Sequence, residues 1–288
     1  MAKSALLKSS IVKKYWMALT GLFLCLFLAG HLAGNLQLIF SDASAFNKYA
    51  LFMTTNPAVK ILSYLTYISI LFHAVDGFML TYQNAKARPI GYAKNNPSKN
   101  SSFSSRNMAV LGTLILVFIV THMVNFWAKM HFDENMPLFT KTVDLQGNPQ
   151  EFYVGTQIGQ YFPVEQVATE GMSDQDILIE AKQFKIKNRT ELYFSQADVK
   201  TADLYKDLHK ITFEFFKDEK FGLIFTLGYV LAMLAMAFHL WHGFQSAFQS
   251  LGATGSKLTP AIKLFGKLFS VIVPLLFAII PIYIHFSK

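Results

Sequence analysis

The stretch Phe27 to Asn35 reads F-L-A-G-H-L-A-G-N and lies inside the run Tyr15 to Phe40, which contains no charged side chain. About 20 apolar residues cross a bilayer as a helix, so this run predicts a membrane span that carries an imidazole, His31, at depth. Basic residues precede the run, as in a signal peptide. The apolar region of a signal peptide has only about 7–15 residues, so we predict an uncleaved first span.

The composition of the chain agrees with a membrane protein. Of its 288 residues, 52% are hydrophobic and 15% are charged, whereas soluble domains carry about 25% charged residues. Further apolar runs of sufficient length predict four more spans. We therefore predict an all-α membrane protein with five transmembrane helices in a single membrane domain, at about 15–40, 61–82, 107–127, 221–248 and 268–286.

The segment 129–218, between the third and fourth predicted spans, has a different character. It holds ten basic and fifteen acidic residues, whereas the remainder of the chain is strongly basic. Such a sequence predicts a water-exposed extramembrane insertion. Amphipathic spacing predicts two helices within it, at about Asp174 to Lys185 and at about Ala202 to Phe216.

The charge of the short segments predicts the orientation. Outside the insertion, twelve of the sixteen Lys and Arg residues fall in the N-terminal segment, in Gln83 to Arg106 and in Leu251 to Lys267. Under the positive-inside rule these segments are cytoplasmic. We therefore expect the N-terminus inside, and the insertion and the C-terminus outside.

Histidine recurs within the spans. Each of the first four spans carries one buried candidate, and such residues are costly in lipid and need partners. A single one could be a hydrogen-bonding link between helices, but four in consecutive helices match the four axial nitrogens of two bis-histidine haems. The candidate iron ligands are His31, His73, His122 and His239, with His242 as the alternative to His239.

Depth along each helix predicts which ligands pair. His31 and His122 fall in the outer halves of their spans, and His239 falls in the inner half of its span. His73 lies near the middle. The most economical arrangement pairs His31 with His122 at an outer haem and His73 with His239 at an inner haem.

Cys25 is the only cysteine, which excludes a cysteine-ligated iron–sulfur cluster and a C-x-x-C-H covalent haem site.

Four motifs resemble the cytochrome b subunit of succinate dehydrogenase and fumarate reductase, of the bacterial single-chain type with five helices and two haems. The resemblance covers the spans and not the insertion. In that family a glycine follows the helix-four ligand at +4 and often another at +13, which favours His239, with Gly243 and Gly252, over His242. The motifs are G-H-L-A-G-N (Gly30 to Asn35), H-A-V-D-G (His73 to Gly77), T-H-M-V-N (Thr121 to Asn125) and H-L-W-H-G-F-Q-S-A-F-Q-S-L-G (His239 to Gly252).

The resemblance implies a role in the bacterial cytoplasmic membrane. A subunit of this kind holds two non-covalent haems b and anchors a flavoprotein and an iron–sulfur subunit at the cytoplasmic face. It passes electrons between the iron–sulfur clusters and a membrane quinone, often menaquinone, and has no dicarboxylate site of its own. The basic segments Gln83 to Arg106 and Gly252 to Lys267 would form the docking face, although positive-inside bias alone also explains them.

Two positions qualify the resemblance. Some family members carry a proton-relaying glutamate two residues before the helix-four ligand, where this chain has Ala237. Asp76, the only acid clearly inside a span, could bind a haem propionate or a neighbouring helix, or could carry protons.

Three alternatives stay open from the sequence. The chain could be the haem b subunit of a hydrogenase or formate dehydrogenase, or a free-standing quinol-reactive cytochrome. It could also be a transporter with histidines along its path, although transporters favour broken helices and inverted repeats.

Overall fold

A computed structural model describes residues 10–88, 90, 96–168 and 172–287. In these residues it has five helices long and apolar enough to cross a membrane, as predicted, which supports a multi-pass membrane protein. The residues before Ser10, Lys94 and Lys288, which contributed to the predicted charge asymmetry, lie outside the described residues. The spans, numbered one to five, are Ile11–Phe40, Pro57–Lys86, Met108–Phe132, Gly222–Ser250 and Leu258–Phe286.

Span five begins at Leu258, ten residues before its predicted start. The basic connection predicted to reach Lys267 is therefore shorter, and Lys263 and Lys267 lie on helical backbone with exposed side chains. Lysine permits this because its aliphatic stem packs on apolar surface while the ammonium group reaches water.

The chain divides into two compact units. The first comprises Met1–Ile39, Pro57–Thr121 and Phe216–Lys288, and the second comprises Phe40–Asn56 and His122–Phe215. The core of the first unit lies between spans four and five, and side chains of spans one and three pack against it. Its buried residues are Met233, Met236, Leu240 and Ala278, with Cys25, Leu28, Ile115 and Phe118 partly buried against them.

The second unit contains two mainly antiparallel β-sheets, which were not predicted from the sequence. One sheet has the order β1-β2-β3 and the other the order β4-β5-β6-β7. Among the strands that the structure describes, β4 and β5 form the one parallel pair. The strands are β1 Thr140–Leu145, β2 Asn148–Val154, β3 Tyr161–Pro163, β4 Val167–Ala168, β5 Phe184–Lys187, β6 Glu191–Phe194 and β7 Val199–Asp203.

The two helices predicted in the insertion are therefore wrong in extent. The first is a single short helix, Asp174–Ile179, with Ser173 as its N-cap, and it ends before β5. The second begins at Leu208, because its predicted first residues belong to β7. The alternating pattern F-K-I-K of β5 suits a half-buried strand better than a helix.

The predicted connection between spans one and two contains a helix of its own, Ala43–Thr55, capped by the Asp42 side chain, which accepts a hydrogen bond from the Ala45 N–H at 2.7 Å. Within the second unit this helix packs on the insertion through Ala50, beside Met130 and Met136. Asn47, 1% exposed, donates from Nδ2 to Asp207 at 2.8 Å and accepts from the His209 N–H at 3.0 Å.

Two cations of the insertion bind the last carbonyl groups of span three. The Arg189 guanidinium donates to the His131 and Asp133 carbonyl oxygens, at 2.9 and 2.5 Å. Lys206 Nζ donates to the Met130 carbonyl oxygen at 2.6 Å. The final carbonyls of a helix have no partners within the helix, and cations at this end also interact favourably with the helix dipole.

The remaining short helices complete the described secondary structure. Those in the predicted basic segment after span two lie on either side of a bend near Ser101. The bounds of the short helices are Gln37–Phe40, Pro97–Asn100, Phe103–Arg106 and Leu208–Lys217, and a 3₁₀ turn covers Val164–Gln166.

Candidate functional site

The structure brings two of the predicted ligands together. The rings of His73, in span two, and His239, in span four, have centroids 6.2 Å apart and an interplanar angle of 69°. Both residues belong to the first unit. Two imidazoles from different spans therefore lie close together within the first unit, with their rings nearer to perpendicular than to stacked.

Span one fixes the orientation of the His73 ring. Its Nδ1 lies 3.2 Å from the Met17 carbonyl oxygen and 3.4 Å from Thr20 Oγ1. The Thr20 hydroxyl itself donates to the Trp16 carbonyl oxygen at 2.7 Å, so it accepts from the ring. With the proton of the neutral ring on Nδ1, the lone pair lies on Nε2, which is the usual arrangement of a metal-binding histidine.

Glycines of two further spans lie against the rings. A Cβ atom built on Gly21 of span one would lie 3.1 Å from His73 Cε1, and one built on Gly112 of span three would lie 3.6 Å from His239 Cε1. Four spans thus surround the pair, with glycine where helix backbone approaches each ring. At Gly77, one turn after His73, a Cβ would meet nothing within 4 Å.

The Nδ1 atom of His239 is buried and has no hydrogen-bond partner among the described residues. The cost of leaving a buried polar atom unpaired is about 1–3 kcal/mol, so such an atom requires an explanation. His242, the alternative ligand, has a partner on its own helix, because its Nε2 lies 3.1 Å from Ser246 Oγ. The two neighbouring histidines of span four therefore have different surroundings.

His31 lies among aromatic rings of the first unit. It stacks on Phe27 with centroids 5.3 Å apart and an interplanar angle of 14°. Phe277 of span five lies 5.8 Å away. Asn35, one turn later, donates from Nδ2 to the His31 carbonyl oxygen at 2.8 Å, and the same Nδ2 lies 3.4 Å from each ring nitrogen.

His122 belongs to the second unit and immediately precedes a π-helical segment, Met123–Ala128. Its ring lies 5.3 Å from that of Phe126 within this segment. Short π-helical segments inside membrane or soluble helices occur frequently at functional sites. The predicted pairing of His31 with His122 joins the two units and stays a prediction.

The other histidines have local partners. His131 Nδ1 lies 2.8 Å from the Trp127 carbonyl oxygen, the His209 ring stacks on Phe213 at 4.2 Å, and His285 Nδ1 lies 2.7 Å from the Phe216 carbonyl oxygen.

Sequence reasoning missed the residues that support the His73 ring. Thr20 and Gly21 form a small polar pair within a run of large apolar side chains. Small residues and hydroxyl groups in a span are typical of close helix contacts, so this pair was a usable signal. Met17, which acts through its backbone carbonyl, leaves no signal in the sequence.

No protein-family model, curated protein or solved structure matches the chain. Its function is therefore inferred from its own residues and their geometry.

Proposed function

We propose that this chain is the di-haem b membrane anchor of a bacterial succinate:quinone oxidoreductase, a succinate dehydrogenase or fumarate reductase. It would pass electrons between an iron–sulfur subunit and a membrane quinone, which the resemblance implies is menaquinone. The observation that carries the proposal is the close approach of His73 and His239, which two spans contribute and two others contact.

The geometry of this pair fits a bound iron. Metal–imidazole nitrogen bonds measure about 2.0 Å, so a metal held between two imidazoles separates the ring centres by roughly 6 Å. The observed separation is 6.2 Å. The oriented ring of His73, whose Nε2 lone pair is left available, and the open space beside Gly77 also suit a flat, non-covalent macrocycle.

In an electron carrier of this kind, some residues of the chain would ligate the haem irons and others would orient those ligands. When bound, haem b supplies one-electron chemistry at a potential set by its axial ligands and their hydrogen bonds. His73 and His239 would hold the inner group, and the Met17 carbonyl and Thr20 would keep the His73 ring in one tautomer. His31 and His122 would hold the outer group.

The charged segments support a complex with soluble partners. Gln83 to Arg106 and the connection before span five contain bases and no acid, so they suit an acidic protein surface. In the proposed complex a flavoprotein and an iron–sulfur subunit bind this face, and this chain carries no dicarboxylate chemistry.

The test is a reduced-minus-oxidised spectrum of the purified full chain, with haem extracted and counted per polypeptide. We expect two low-spin b haems. His239→Ala should lose one haem, while His242→Ala, the matched control three residues away, should keep both. The opposite result would exchange the two ligand assignments. A folded chain without haem, from haem-replete cells, would refute the electron-carrier function.

The partner needs a separate measurement. An affinity-tagged chain should co-purify a flavoprotein and an iron–sulfur protein with succinate-dependent dye reduction. Haem without these partners would instead favour another haem b subunit, such as that of a hydrogenase or formate dehydrogenase, or a free-standing quinol-reactive cytochrome.

A further inference from the structure

An apolar groove runs between spans four and five in the first unit. Its volume is about 480 Å³, which is within the range of small-molecule sites. From Val230 to Trp241 its wall on span four covers three turns of helix, or roughly 16 Å. On span five, Val271, Pro274 and Ala278 form the opposite wall. The groove is therefore long and narrow, as an extended hydrocarbon chain requires.

One end of this groove is polar and cationic. Trp241 lines it, and Lys267 Nζ lies 5.6 Å from the centre of the Trp241 ring. Ser104, only 4% exposed, lines the same groove. In the part of the chain that the structure describes, Lys267 has no ion pair with a carboxylate.

We propose that this groove binds an anionic phospholipid, with one acyl chain between spans four and five and the phosphate at Lys267. The site is independent of the haem proposal, because none of the candidate ligands lines the groove. The lipid would complete the contact surface of the two spans in the membrane.

Charge selects an anionic lipid over a neutral amphiphile. Lys267, an exposed cation on span five, places a positive charge at one end of the apolar groove. Basic pockets between spans bind anionic headgroups for this reason. A neutral isoprenoid tail would fill the groove equally well but would gain nothing from the lysine.

The test measures quenching of Trp241 fluorescence by brominated lipids in reconstituted vesicles. The chain has three tryptophans, so a Trp16→Phe, Trp127→Phe variant of the full chain isolates the signal. Dibromo-phosphatidylglycerol and dibromo-phosphatidylcholine are compared at equal mole fraction. One cation near the headgroup predicts a preference of roughly fivefold for the anionic lipid, weakened by high salt.

Lys267→Gln should bring this preference close to one. Lys220→Gln is the matched control, because Lys220 lies 5.0 Å from the Phe221 ring at the opposite end of span four and should leave the preference unchanged. If the tryptophan replacements impair folding, lipid mass spectrometry of the unaltered purified chain supplies the second measurement, and anionic lipid should be retained at about one molecule per chain.

Equal quenching by the two lipids overturns the proposal, as does a preference that survives Lys267→Gln. Quenching by an added quinone that brominated phosphatidylglycerol fails to displace would assign the groove to a neutral tail and would likewise overturn it.

Discussion

Replacing Gly21 by alanine would push directly on the ring of His73. The added Cβ would lie 3.1 Å from His73 Cε1 and 3.5 Å from Nδ1, whereas non-bonded carbon atoms rest about 3.5–4.0 Å apart. The ring must therefore retreat by a few tenths of an ångström. Its Nδ1 is already held 3.2 Å from the Met17 carbonyl, so the displacement also disturbs that hydrogen bond.

A displacement of this size matters to a metal ligand. Metal–ligand distances tolerate only about 0.2 Å, and loss of the outer hydrogen bonds of a ligand typically weakens metal binding about 10–100-fold. If the proposed haems are present, we therefore expect Gly21→Ala to lose the inner one to excess apomyoglobin at least about tenfold faster than the unaltered chain. The proposed outer haem should transfer at its original rate.

Gly112→Ala provides the control, because its Cβ would lie 3.6 Å from His239 Cε1, an ordinary contact. Both changes raise helix propensity by about 1 kcal/mol, so the comparison isolates the crowding at His73. Far-ultraviolet circular dichroism would verify that both variants are folded. If Gly21→Ala releases its haem as slowly as Gly112→Ala, His73 is not the ligand that this geometry describes.

Three further changes test other parts of the structure. Gly266→Ala would place a Cβ 2.7 Å from the Phe244 ring and should destabilise the contact of spans four and five by about 1–3 kcal/mol, which lowers the unfolding temperature in detergent. Gly228→Ala is the control, because its Cβ meets nothing within 4 Å and should leave that temperature unchanged. An equal drop in unfolding temperature for both variants would contradict the packing argument. Arg189→Ala removes two hydrogen bonds to the end of span three and should speed amide hydrogen exchange in the second unit by roughly tenfold or more, whereas unchanged exchange would show that the cation is dispensable. Burial lowers the pKa of His209 despite nearby carboxylates. The folded second unit therefore resists protonation of this ring, and its stability should fall as the pH drops through and below about 6.5, the usual pKa of an unburied histidine. His209→Gln should remove this pH dependence of stability, and a variant that keeps the same pH profile would refute the assignment.

The spans were predictable because hydropathy and length alone identify them. The depth argument placed His239 in the inner half of its span and His73 near the middle of its own, since position along a straight helix converts directly into height; the two were paired because His31 and His122 both fell in the outer halves. It could not reveal Met17, whose contribution is a backbone carbonyl, or the glycine contacts, which depend on how neighbouring helices are rotated. The relation of His31 to His122 stays a prediction because these two residues belong to different units.

The strands of the insertion were harder to predict from the sequence than the spans, because each strand is short. Two hairpins of the insertion turn at Gln146–Gly147 and at Asn188–Arg189, and all four residues have positive φ. Of these, only Gln146–Gly147 resembles the glycine-containing turns that mark a hairpin in a sequence. The helix Ala43–Thr55 escaped notice because a segment between two spans was read as a connection, although Asp42 is a favourable N-cap residue.

The binding of the end of span three by Arg189 and Lys206 has a consequence for biogenesis. These cations lie 58 and 76 residues after the carbonyl groups of His131 and Met130 that they bind. At roughly 5–20 residues per second, synthesis supplies them several seconds after span three has left the ribosome. During that interval the carbonyl groups at the end of the nascent span lack these two cations as partners. Maturation of this membrane helix therefore waits for a polar segment that is made later, and defects in that segment should leave an immature span as well as a misfolded insertion.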